Sequence, residues 1–137
     1  MKRTSVNPCD WGLRWSMNQG ELVEGVTRYL HCSGQVAVAP APETGLGIAV
    51  LHPGDIRGQM EAALANVDAV LAAAGLSRKN LLSLRFFTTD VDGFLTNYDV
   101  YAAWIAEAGI RPPQSLLGVS RLVLPELVVG IEAVAGE

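Results

Sequence analysis

The sequence is poor in charged residues and in cysteine. Only 18% of its 137 residues are charged, 50% are hydrophobic, and the net charge is −4. Lys and Arg are never clustered beyond a pair, so the chain lacks a basic surface for a phosphate backbone, and we expect no nucleic-acid partner. Two cysteines, Cys9 and Cys32, are too few for a disulfide framework and favour a reduced, cytoplasmic protein.

Other absences narrow the class further. No apolar run approaches the length of a membrane span, and none follows the first five residues, so we expect no membrane association. The sequence contains no Gly-rich phosphate loop, no paired-cysteine spacing and no His-x-x-x-His pattern, and we expect neither a cofactor nor a metal. The hydrophobic excess over charge instead favours a surface buried between subunits.

Two helices can be predicted from periodicity and end signals. Asp55 can cap the first, a 3.6-residue apolar stripe follows, and Gly75 suits its end. The stripe consists of Ile56, Met60, Leu64, Val67, Leu71 and Ala74. The second helix is predicted over residues 92–108, with Gly109 and two prolines ending it.

The remaining apolar runs predict strands. They lie within residues 15–38, 47–51, 80–88, 115–122 and 127–135. Strands, helix, strand, helix and strands in that order predict a two-layer α/β sandwich with both helices on one sheet face. Residues 15–137 are predicted to form a single domain, and residues 1–14 an extended or loosely held N-terminal arm.

Four segments of the chain carry a recognisable pattern, namely residues 111–122 (RPPQSLLGVSRL), 130–135 (GIEAVA), 33–35 (SGQ) and 87–94 (FTTDVDGF). In these residues, their order and their spacing, the chain resembles the Rid (reactive intermediate deaminase) family, also called YjgF or endoribonuclease L-PSP. The resemblance implies a chorismate-mutase-like α+β fold with a mixed six-stranded sheet and two helices on one face. It also implies a barrel-like homotrimer, a small-molecule ligand cleft between subunits, and hydrolysis of enamines or imines.

The same resemblance implies that this chain has lost part of the usual machinery. Gln114 stands where family enzymes carry an arginine that holds the substrate carboxylate by two parallel hydrogen bonds, a geometry that an amide cannot reproduce. Leu116 stands at a cysteine position, and Gly130 at the position of a glutamate that places the attacking water. We therefore expect the usual activity on small carboxylates to be lost.

The resemblance implies a set of ligand-binding residues and leaves three candidates for catalysis. The ligand-binding set is Trp15, Ser33, Gly34, Tyr98, Gln114, Ser115 and Leu116, and the catalytic candidates are Gln114, Tyr98 and Glu132.

Each candidate has a structural alternative. Trp15, at a tyrosine position, can cover the cleft or simply pack, and Gly34 can mark a strand bulge. Tyr98, at an asparagine position, can point into the cleft or into the core edge. Gln114 can be a polar residue at a subunit boundary, and Glu132 can bind backbone amides or Arg121 across a trimer.

The histidines and cysteines outside these segments have simpler interpretations. His31 and Cys32 are adjacent, and neighbours on a strand point to opposite faces, so they cannot form a catalytic dyad. His52 is expected in a loop before the first helix.

Three functions remain open at this stage. The first is an enzyme acting on a reactive imine or enamine, including a bulky neutral one. The second is a non-catalytic ligand-binding or scaffold trimer. The third, an endoribonuclease, is disfavoured by the acidic charge and the absence of a His/Lys constellation.

Overall fold

The structure is a computed structural model that describes the whole chain, Met1–Glu137. Its strands are β1 (Lys2–Val6), β2 (Gly20–Glu24), β3 (Tyr29–Val36), β4 (Val38–Pro40), β5 (Ile48–Val50), β6 (Leu81–Thr88), β7 (Gln114–Gly118) and β8 (Val129–Gly136). Its α-helices are α1 (Ile56–Ala73), α2 (Val91–Thr96) and α3 (Asp99–Ala106), and short 3₁₀ turns span Trp11–Trp15 and Arg78–Asn80.

A mixed four-stranded sheet in the order β3-β8-β6-β7 forms one layer, and the helices form the other. Strand β6 runs parallel to β7, while β8 is antiparallel to both β3 and β6. The predicted two-layer α/β sandwich is confirmed.

The strands are not all joined in one six-stranded sheet, which was the expectation. Strands β1 and β2 pair only with each other, as do β4 and β5. A single backbone hydrogen bond, from the amide of Asn18 to the carbonyl of Arg111, links the β1–β2 region to the segment before β7. One bond does not continue a ladder, so the hairpin stands beside the sheet.

Alternation along the strands determines which residues face the helices. In β8 the core residues are Val129, Ile131, Ala133 and Ala135. In β6, Leu84 and Phe86 face the same core, which is filled from the other side by the apolar stripe of α1. The residues between them point to the opposite face, which no helix of this chain covers.

Helix α1 begins and ends where its end signals predict. The carboxylate of Asp55 accepts a hydrogen bond from the amide of Gly58, and Gly75 adopts a φ of 73° just past the last turn. The amide of Leu76 then donates to the carbonyl of Leu71, which closes the helix.

The second predicted helix is interrupted at Asn97 and Tyr98. The Asn97 side chain donates to the carbonyl of Gly93, and Thr96 donates to that of Asp92, so polar side chains compete with the backbone for the helix acceptors. The amides of Tyr98 and Val100 donate only three residues back, and the chain turns between α2 and α3. This break places Tyr98 at a corner instead of on a continuous helix face.

The first residues of the predicted arm are held by specific contacts. Residues of β1 pair with β2, and the guanidinium of Arg3 contacts Glu21 at 2.6 Å and the carbonyls of Lys79 and Leu81. The hairpin is thereby attached to the start of β6.

None of the helices has the length and apolar character needed to cross a membrane.

Gln59 fastens α1 to the chain that leads into β8. Its side chain is fully buried, donates to the carbonyls of His52 and Glu126, and accepts from the amide of Val128. These three bonds fix the path of the chain two residues before Gly130.

We expect Gln59→Leu to lower the free energy of unfolding by about 2–4 kcal/mol, because each buried polar group left unpaired costs about 1–3 kcal/mol. Urea denaturation at constant protein concentration measures this change. Glu61→Gln, on the exposed side of the same helix, serves as the control and should change stability by less than about 0.5 kcal/mol. Equal midpoints for Gln59→Leu and the control would contradict the assignment.

Candidate functional site

Four of the predicted site residues meet at one small cavity. Trp15 ends the 3₁₀ turn, Tyr98 occupies the corner between α2 and α3, and Gln114 and Leu116 lie on β7. The cavity, here called the aromatic cavity, has a volume of about 200 Å³. It is lined by Trp11, Trp15, Met17, Leu95, Tyr98, Gln114 and Leu116.

Hydrogen bonds connect Tyr98, Gln114 and the backbone of Trp15 at this cavity. The Tyr98 hydroxyl donates to the backbone carbonyl of Trp15 at 2.5 Å. The Gln114 Nε2 donates to the same carbonyl at 2.9 Å and also to the Tyr98 hydroxyl oxygen. Gln114 Oε1 is buried without a partner. Gln114 is thus oriented by a neighbouring backbone and a phenol, and it acts as the donor to both.

The aromatic cavity contains no charged side chain. Burial raises the pKa of Tyr98 to about 12, while its hydrogen bond from Gln114 acts in the opposite direction. The phenol is therefore protonated at neutral pH and can donate a hydrogen bond. An anionic ligand would find no cation here, whereas a neutral ligand with an apolar body matches the lining.

Tyr98 contacts both an aromatic cluster and the aromatic cavity. Its ring packs edge-on against Trp15, with 5.2 Å between centroids, and against Tyr101 at 5.7 Å. Its hydroxyl nevertheless lines the aromatic cavity instead of entering the core. Trp15 likewise packs through its ring and presents its carbonyl to the polar cluster.

Other predicted site residues lie on the opposite side of the sheet. Gln114 pairs with Leu84 and Leu116 with Phe86, on the face covered by helices. Glu132 pairs with Arg85 and points to the uncovered face, as does Gly130. Within a single chain, the sheet therefore lies between Tyr98 and Gln114 on one face and Glu132 on the other.

Ser33, Gly34 and Ser115 are exposed and do not line the aromatic cavity. The register of β3 against β8 shifts between Cys32 and Gln35, so Ser33 and Gly34 form a bulge, as one interpretation of the sequence predicted. A Cβ on Gly34 would lie 3.9 Å from the Cγ of Glu132, an ordinary contact. Gly34 and Glu132 therefore lie side by side on the uncovered face.

Glu132 is half-buried and makes no hydrogen bond or ion pair within the chain, either to backbone amides or to Arg121. It borders a shallow cavity of about 270 Å³ on the uncovered face. The polar side chains of that cavity are His31, Ser83, Arg85 and Glu132.

The remaining candidates lie where their patterns indicate. Cys32 is buried in the core, where desolvation raises the pKa of its thiol, and His31 is exposed on the other face. His52 is exposed in the loop before α1, with a left-handed φ of 52°.

Three lining residues were absent from the sequence prediction, namely Trp11, Met17 and Leu95. Trp11 lies in the segment that the sequence predicts to be an arm. Its position four residues before Trp15 is a signal in the sequence that the two rings could share one cavity. Its side chain is 54% exposed and forms the rim of the aromatic cavity.

Comparison with known proteins agrees with this architecture. A family model described as Endoribonuclease L-PSP matches residues 18–137. The Escherichia coli protein TdcF is 34% identical over 119 residues, which are 85% of this chain and 86% of TdcF. The 2-iminobutanoate/2-iminopropanoate deaminase of Escherichia coli is 32% identical over 119 residues, covering 85% of this chain and 87% of the enzyme.

Solved structures agree in fold as well as in sequence. The crystal structure of the Rid family protein YyfB from Yersinia pestis matches over the full length of both chains, with a TM-score of 0.80 and 27% identity. The crystal structure of Escherichia coli TdcF with bound serine matches with a TM-score of 0.66 and 32% identity, over 88% of this chain and 87% of the other. The chain therefore belongs to the Rid family, also known as YjgF or endoribonuclease L-PSP.

Proposed function

We propose that this protein hydrolyses an imine or enamine whose substituents are apolar and uncharged. The observation that carries the proposal is the lining of the aromatic cavity, which has seven residues and no charge. One relative is named for its action on 2-iminobutanoate, and the structure of another contains bound serine. Both compounds are small carboxylates. Gln114, bound to Tyr98 and the carbonyl of Trp15, offers no equivalent to a charged carboxylate clamp.

The proposed reaction adds water to a carbon–nitrogen double bond, which an enamine acquires when its β-carbon takes up a proton. The water oxygen bonds to the carbon and gives up its two protons, and the carbon–nitrogen bond breaks as the carbon becomes a carbonyl. The nitrogen gains two protons and leaves as ammonia or an amine. Tyr98 is suited to donate a hydrogen bond to that nitrogen, since its phenol is protonated at neutral pH. Glu132 is suited to accept a proton from water, because its carboxylate has no partner within the chain.

The proposal requires more than one chain. Tyr98 and Glu132 lie on opposite sides of the sheet, so they can act together only where surfaces of two copies meet. The uncovered sheet face also carries apolar side chains, including Phe87, Leu117 and Val134. We propose a homotrimer that buries this face and places the ligand between subunits.

One observation favours the second candidate, a trimer that binds a ligand without turnover. The donors of the Tyr98 hydroxyl and the Gln114 amide are already engaged, with each other and with the carbonyl of Trp15. Catalysis by Tyr98 would require the ligand to replace that carbonyl. An endoribonuclease activity has less support, because the aromatic cavity has no cationic side chain for a phosphate.

Matched imines test the proposed reaction. The imine of acetophenone carries a methyl group where the imine of phenylglyoxylate carries a carboxylate. In the assay, an amine oxidase generates the first imine and an amino-acid oxidase generates the second. We expect faster release of ammonia over the buffer rate for the acetophenone imine, and at least tenfold less acceleration for the phenylglyoxylate imine.

Tyr98→Phe keeps the ring and removes the proton donor, so it should lower the acceleration by at least about tenfold, within the range typical of a positioned acid. Preference for the phenylglyoxylate imine would refute the neutral-substrate proposal. Saturable binding of the acetophenone imine without acceleration would establish the ligand-binding trimer in its place.

A second prediction concerns what the chain would need to use small carboxylates. Gln114→Arg alone should not restore efficient hydrolysis of 2-iminopropanoate, because it supplies a carboxylate clamp but no partner for water. Adding Gly130→Glu should raise the rate at least about tenfold further. A Cβ at position 130 would meet Val36 at 3.5 Å and Leu122 at 3.7 Å, which are ordinary contacts.

The matched control for that double variant is Gln114→Arg with Gly130→Gln, which has nearly the same shape and no carboxylate. Initial rates of 2-iminopropanoate loss are compared for the three variants. If Gln114→Arg alone equals the variant with glutamate, water is positioned by another group and Glu132 becomes the residue to test.

The assembly can be tested independently of turnover. Light scattering coupled to size exclusion should give a mass three times the 14.6 kDa of the chain. Leu117→Arg, on the uncovered face, should shift the protein toward monomer because it buries a charge in the proposed interface. Leu46→Arg, in an exposed loop, should leave the mass unchanged. A monodisperse monomer of the unaltered chain at micromolar concentration would rule out the trimer.

A further inference from the structure

A second, larger cavity lies between the β1–β2 hairpin and the end of α3. It has a volume of about 620 Å³, within the range of small-molecule sites. Here it is called the hairpin cavity, and its polar side chains are Arg3, Ser5, Ser16, Asn18, Glu21 and Arg111. No residue of the predicted site lines it.

The acceptors that border the hairpin cavity are largely occupied. At the end of α3, the carbonyl of Ile105 accepts from the amide of Ala108, and that of Ala106 accepts from the amide of Gly109. The carboxylate of Glu21 is paired with Arg3 at 2.6 Å, with both side chains mostly buried. These two carbonyls are therefore not available to a ligand, and the negative charge of Glu21 is offset by Arg3.

Several of its donors other than Arg3, by contrast, are free. Asn18 is 4% exposed, and its Oδ1 accepts from Asn7 while its Nδ2 donates no hydrogen bond. Arg111 forms no ion pair, and the hydroxyls of Ser5 and Ser16 make no hydrogen bond. The unused Nδ2 of Asn18 can therefore donate a hydrogen bond to a molecule bound in the cavity.

Excess donors next to an unpaired guanidinium define the chemistry of the ligand. The remaining wall is apolar, formed by Leu13, Ile105 and Ile110. We propose that the hairpin cavity binds a small organic anion, a carboxylate or phosphate monoester on an apolar body. Arg111 supplies the charge, and Asn18 with the two serines supplies directional donors. The proposal stands apart from the hydrolytic function.

Calorimetric titration with three small phenyl compounds tests whether the hairpin cavity binds an organic anion. Benzoate and phenyl phosphate carry the two kinds of anion, and benzamide is the neutral analogue. We expect both anions to bind at least tenfold more tightly than benzamide, and the stronger of the two identifies the head group. Inorganic phosphate binding as tightly as phenyl phosphate would overturn the apolar-body part of the proposal.

Variants and spectra locate the site. Arg111→Gln, at an exposed position, should weaken the anions at least tenfold, whereas Arg121→Gln, which also removes a cation that has no ion pair, should not. In ¹⁵N-correlated NMR spectra the side-chain amide of Asn18 should shift with benzoate and that of Gln114 should not. Equal affinity in Arg111→Gln, shifts confined to Gln114 and Trp15, or no binding of either anion would each overturn the proposal.

Discussion

The alternation of side chains across the four-stranded sheet is the constraint on which the rest of this molecule depends. The helices cover one face only, and each strand sends successive residues to opposite sides. Gln114 and Leu116 consequently lie with the helices, near Tyr98, while Gly130 and Glu132 lie on the bare face. No rotation of side chains within one chain can bring these groups together, because the sheet itself lies between them. A reaction that uses residues of both faces must therefore take place between two copies of the chain. Such a reaction would require the chain to assemble.

The aromatic cavity shows how a neutral amide is accommodated at position 114. A lone amide at position 114 would leave its donor unsatisfied in an apolar surrounding, at a cost of about 1–3 kcal/mol. The break between α2 and α3 brings the Tyr98 hydroxyl to Gln114, and the carbonyl of Trp15 accepts from both. Tyr98 and Gln114 thus support each other, and the Trp15 ring packs against the Tyr98 ring. These three positions should therefore be compared together among relatives.

Much of the fold could be predicted from the sequence because its determinants are local. Asp55 and Gly75 mark the ends of α1, and the period of its apolar stripe identifies the buried face. The break at Asn97 was missed, because apolar periodicity continues across it while the competing side-chain hydrogen bonds do not show in a pattern. The division into three sheets was missed for a similar reason, since pairing partners are chosen by non-local contacts such as those of Arg3.

The candidate site was predictable in part, and the limits are physical. Resemblance identified positions 15, 98, 114 and 116, which the structure brings to one cavity. Trp11 and the hairpin cavity had no such signal, because both arise from the way the first 24 residues fold over the end of α3. The segment from Trp11 to Asn18 has one side toward each cavity, with Trp11, Trp15 and Met17 on one and Leu13, Ser16 and Asn18 on the other. One short segment therefore supplies wall residues to both cavities, and neither wall could be predicted before the path of that segment was known.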